Sequence, residues 1–101
     1  MQGTSGSISQ LLSDHSRIQE AATQLTKEAE KGDLDVIVRA RVAAVVGLLN
    51  LFANEGLDFS WKKASEVVSK AQGRGTHRTR CIREWAIAYL RWRDLPLHQM
   101  D

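Results

Sequence analysis

The sequence predicts an all-α protein: a four-helix domain with a central apolar helix and a C-terminal helix-turn-helix-like pair. Three observations predict it. Apolar residues recur three and four positions apart through most of the chain. Proline occurs once, at Pro96, and most of the seven glycines fall between the periodic segments. The one Val/Ile-rich stretch runs for about twenty residues with alanines and no turn signal, too long for an ordinary strand. The expected organisation is a flexible Gly/Ser-rich lead-in over residues 1–8 and a single domain over 9–98. Its helices fall at about 9–31, 35–54, 61–72 and 77–93.

In the first helix Leu11, His15, Ile18, Ala22, Leu25 and Ala29 alternate spacings of four and three, a thin heptad seam. The seam can pack on the rest of the domain or on a second copy. Gly32 is the expected stop. The second helix, VIVRARVAAVVGLLNLFA, begins after Asp33 or Asp35, either of which can cap it. It is apolar most of the way round and must be covered on most sides. Gly47 within it suits close approach of another helix, and Gly56 closes it. In the third helix Ser60 is the N-cap, and Trp61, Ala64, Val67, Val68 and Ala71 form the inward stripe. Gly73 ends that helix. Thr76 caps the fourth, whose buried stripe is Ile82, Trp85, Ala86, Tyr89 and either Leu90 or Trp92. At 100° per residue, Arg80, Arg83, Glu84, Ile87 and Arg91 fall on the opposite face. Arg78 falls on the buried side, with its stem over core and its head toward water. Leu95–Pro96 stops the helix.

The 101 residues suffice for one domain. No run of about 18 uninterrupted apolar residues suggests a membrane span, and MQGTSGSISQ lacks the basic head and apolar middle of a secretion signal. Cys81 is the only cysteine, so an internal disulfide or cysteine-based zinc site is excluded, and a reducing intracellular setting is expected. Net charge is +2 and unevenly distributed: residues 1–57 carry five Lys/Arg and seven Asp/Glu, residues 58–101 nine and five.

Catalytic signals are poor. His15, His77 and His98 lie in distant segments, no carboxylate pair stands out, and no metal or cofactor motif occurs. The sequence therefore predicts no enzyme, no metal and no cofactor. Cys81 reads as a small packed hydrophobe, with activation by the neighbouring arginines as the alternative. His15 reads as a partly buried stripe residue. The tryptophans recur at helical spacing and read first as core, with Trp92 the one expected to be partly exposed.

What remains is GRGTHRTRCIREW at 73–85, a glycine turn leading into an arginine-rich helix start. A DNA-reading helix-turn-helix places the start of its second helix against base edges. Guanidinium groups there suit phosphates and guanine. Lys62, Lys63 and Lys70 on the preceding helix could hold the backbone. The expected DNA-contacting residues are Lys62, Lys63, Arg74, His77, Arg78, Arg80 and Arg83, with Glu84 orienting an arginine. The alternative is a helical protein-interaction or dimerisation module. It would use Leu11, Ile18 and Leu25 of the first seam, or a patch around Trp92, Leu95 and Leu97.

The pattern W-K-K-A-S, A-Q-G-R-G, R-C-I-R-E-W, L-R and D-L-P-L-H over Trp61 to His98 resembles a segment near the N-terminus of transposon-derived proteins of mushroom-forming fungi, where it precedes a DDE-type transposase region. Arg80, Arg83, Glu84, Trp85 and Pro96 match that pattern. The resemblance implies a module that recognises transposon DNA, acting in the nucleus, or a helical adaptor once fused to such an enzyme. The nuclease core itself, with its mixed sheet and three separated acids, has no counterpart in these residues.

Overall fold

The computed structural model describes residues 8–32, 35–54, 56, 59–73 and 75–93. Arg74, Leu95, Pro96, Leu97 and His98, and all but the last residue of the expected lead-in, lie outside them. The described residues form helices and no strands: α1 (Ile8–Ser13), α2 (His15–Lys31), α3 (Val36–Ala53), α4 (Trp61–Ala71) and α5 (Thr76–Trp92).

The expected first helix is two. Asp14 leaves helical conformation (φ −108°, ψ 94°), and its side chain accepts from the Arg17 N–H at 3.2 Å, as an N-cap does. Aspartate competes for nearby backbone donors, which favours a cap over a helix interior. Asp35 caps α3 by accepting from Val38 N–H at 2.8 Å, and Ser60 caps α4 by accepting from Lys63 N–H at 3.1 Å. Helix α3 ends at a cap on Asn54, two residues before Gly56.

Helix α3 is the centre of the fold and packs against α2, α4 and α5. Val42, Ala44, Val45, Leu48, Leu49 and Ala53 are its buried residues. Its length and composition would also suit a membrane span, but here three helices pack against it, and part of its surface stays exposed. Its first turn departs from the expected burial: Val36 and Ile37 are 82% and 64% exposed. The α2 seam packs inward, with Ile18, Ala21, Ala22 and Leu25 all buried. Ile18 and Leu25, expected as a possible interaction surface, are thereby used within the domain, while Leu11 is half-buried.

An aromatic chain joins three helices. The His15 ring meets Phe52 edge-on at 5.3 Å, and Phe52 meets Trp61 edge-on at 5.2 Å. His15 is thus a packing residue on the partly buried seam. In α5, Ile82, Trp85, Ala86, Tyr89 and Leu90 are buried, so Leu90 and not Trp92 completes the stripe.

Candidate nucleic-acid interface

The turn between α4 and α5 sets the site. Gly73 adopts φ +70°, a left-handed conformation that favours glycine, and its N–H donates to the Lys70 carbonyl at 2.9 Å. Gly75, not Thr76, is the N-cap of α5, with no side-chain capping bond. Its carbonyl instead accepts from Thr79 N–H, from Thr79 Oγ1 and, at 3.1 Å, from Ser69 Oγ of α4. These bonds fix the start of α5 against the end of α4.

Helix α4 is rotated relative to the expected stripe. Ala64 and Val68 are buried as expected, but Ser65 and Ser69 join them in place of half-buried Val67 and exposed Ala71. The serines are small enough for α5 to pack closely, and their hydroxyls are satisfied. Ser65 Oγ donates to the Lys62 carbonyl at 2.7 Å and accepts from Arg83 Nη1 at 3.0 Å. A buried hydroxyl without such partners would be costly.

The rotation gives two adjoining clefts. One, of about 480 Å³, is lined by Lys62, Glu66, Lys70, His77, Arg80 and Arg83, together with the first turn of α5. That turn presents the positive end of the helix, where backbone N–H groups favour anions. The second, of about 470 Å³, has Trp61, Ile87, Ala88 and Trp92 as its apolar part and Arg80, Arg83, Glu84 and Arg91 as its charged part. Arg80 and Arg83 line both, so the clefts form one surface. Its lining carries five formal cations and two carboxylates, Glu66 and Glu84.

The cations are held differently. Among the described residues no carboxylate pairs with Lys62, Lys63 or Lys70. Arg80 meets Glu84 at 3.7 Å with both side chains largely exposed. A solvated i,i+4 pair of this kind contributes a few tenths of a kcal/mol, and arginine N-terminal to glutamate is the weaker order. A phosphate can therefore displace Glu84. Arg83 is half-buried, and its bond to Ser65 uses one of five donors and fixes the guanidinium between the clefts.

The seven expected contact residues do not all meet. Lys62, His77, Arg80 and Arg83 come together; Lys63 is exposed but lines neither cleft; Arg74 lies outside the described residues. Arg78 is placed elsewhere. Its guanidinium carbon sits 4.9 Å from the centre of the Trp85 ring, which Arg41 of α3 also approaches, at 5.2 Å. A two-residue step turns the helix by about 200°, which separates Arg78 from Arg80 and gives it a packing task on the tryptophan. Cys81 is buried, with Sγ 3.6 Å from His77 Nε2. Arg91, Trp61 and Ile87 belong to the surface and were not among the expected contacts. The signal for Arg91 and Ile87 was the α5 stripe 80, 84, 87, 91, on which an apolar Ile87 stands among charges; Trp61, at the start of α4, carried no such signal.

A third cleft, between α2 and α3, is lined by Ala29, Val42, Ala43 and Val46 with Glu30 and Arg39, and is mainly apolar. Among the described residues no three His, Cys, Asp or Glu side chains group closely enough to hold a metal ion. Compared with protein-family models, curated proteins and solved structures, the chain matches none.

Proposed function

We propose that the α4–α5 face binds nucleic acid without catalysis, as a DNA-binding helical domain related to transposon proteins. The observation that carries this reading is the continuity of the two clefts through Arg80 and Arg83, which gathers Lys62, Lys70 and Arg91 onto the same surface. The start of α5, which has no side-chain capping bond, adds partial positive charge there. Lys62, Lys70, Arg80 and Arg83 against Glu66 and Glu84 leave a net attraction for a phosphate backbone. The sequence resemblance over Trp61 to His98 points to the same partner.

Phosphate neutralisation releases counterions, so the affinity must fall steeply with salt. With about four phosphates engaged, binding to duplex DNA weakens on the order of 100-fold between about 50 and 200 mM salt. Fluorescence anisotropy with a labelled duplex measures this. Lys62→Ala lowers the slope of log affinity against log salt by about one, and Arg80→Ala with Arg83→Ala by about two. Absence of binding at about 50 mM salt, or a double variant that binds as the parent does, ends the proposal.

A further inference from the structure

We infer that the second cleft is a stacking site for an unpaired nucleobase, so that the preferred ligand of the α4–α5 face is single-stranded. The inference rests on the nucleic-acid reading and deepens it. Trp92 is 71% exposed, although a tryptophan turned to solvent forgoes most of its burial energy. It lines the same cleft as Trp61, whose ring is held edge-on by Phe52 and so keeps its orientation. Ile87 adds an aliphatic surface to the cleft.

The charge pattern selects the occupant. Arg80 and Arg83 are shared with the neighbouring cationic cleft, so a chain laid across both would meet fixed positive charge and then an aromatic surface. A nucleic-acid strand alternates in the same way, with an anionic backbone and flat bases. In a duplex the base faces are covered by their neighbours, and an exposed indole finds nothing to stack on. An unpaired base offers its full face, and aromatic side chains beside a cationic groove are how single strands are held without sequence preference.

The test compares an oligothymidylate of about twelve nucleotides with a hairpin duplex of equal phosphate number at about 50 mM salt. The oligothymidylate is expected to bind more tightly and to quench a component of tryptophan fluorescence that Trp92→Phe removes. Trp92→Ala weakens the single strand by about five- to 150-fold and leaves the duplex within about twofold, whereas Trp92→Phe keeps most of the affinity. Lys62→Ala weakens both ligands. If Trp92→Ala leaves single-strand affinity unchanged, or weakens both ligands equally, stacking is refuted while the basic-face reading stands. If neither ligand binds, both fail. If an acidic amphipathic peptide quenches Trp92 and the oligothymidylate does not, the cleft is a protein site and the inference is wrong.

Discussion

Tyr89 shows how one side chain ties the C-terminal helix to the start of the fold. Its ring is buried in the core, and its hydroxyl donates to Glu28 Oε1 of α2 at 3.2 Å. Arg93, just past α5, adopts φ 53° and reaches the same helix, donating to Gln24 and pairing with Glu20 at 3.4 Å. A non-glycine residue in the left-handed region is strained, and these contacts offset the strain. Burial, and secondly the Glu28 carboxylate, push the Tyr89 phenol from 10 up to about 12, while Arg93 acts the other way. The folded protein therefore holds the proton more firmly than the unfolded chain. The resulting stability is fully present below pH 10 and is lost as pH rises through about 12. Tyr89→Phe removes this alkaline slope and, at neutral pH, lowers stability by about 1 kcal/mol through the lost hydrogen bond. Urea unfolding at a series of pH values checks both, and a slope unchanged in the variant would assign it to other groups. Tyr89 is legible in the sequence as a stripe residue. Its partner is not, because Glu28 lies on the flank of the predicted seam and nothing local specifies a contact 61 residues away.

Periodicity locates the elements well, and the errors have physical causes. The break at Asp14 was written in the sequence as an aspartate flanked by Ser13 and His15, but the heptad spacing runs across it and masks it. The rotation of α4 was hidden because hydrophobicity ranks Val67 and Ala71 above Ser65 and Ser69. The serines prevail because α5 needs small, hydrogen-bonding neighbours at the contact. Gly47 makes the same point from α3. It was expected to mark a close approach, and α4 does pass over it, yet a methyl group added there would lie 3.5 Å from Val68 Cγ2, an ordinary contact. The site therefore has room for alanine. Gly47→Ala should raise stability by up to about 1 kcal/mol, since glycine inside a helix loses more backbone entropy on folding. Thermal unfolding reads this as a higher midpoint. A loss of stability would mean that α4 sits closer to Gly47 than the observed contact.

At the scale of the whole molecule, the central helix and the cationic face are two consequences of one packing solution. Helix α3 takes up the apolar surfaces of α2, α4 and α5, and α5 can then turn only one side to solvent. The charge imbalance between the two halves of the sequence was legible at once. The grouping of Arg80, Arg83 and Arg91 on one face of α5, and the inward side of Arg78, were legible from the 100° spacing. Which α4 side chains adjoin them was not, because that depends on the rotation of α4, and neither was Arg41 meeting Arg78 on the Trp85 ring. Stability and binding should then be separable by mutation. Leu48 is fully buried at the middle of α3, and Leu48→Ala should cost about 2–5 kcal/mol, a large share of the roughly 5–15 kcal/mol of a typical domain. Trp92→Ala, on the exposed end of α5, should stay within about 0.5 kcal/mol of the parent. Urea denaturation of the three proteins, with the slope against denaturant held in common, measures the contrast. A large loss in Trp92→Ala would mean that the indole is covered in solution, and the stacking surface would lose the exposed ring on which it depends.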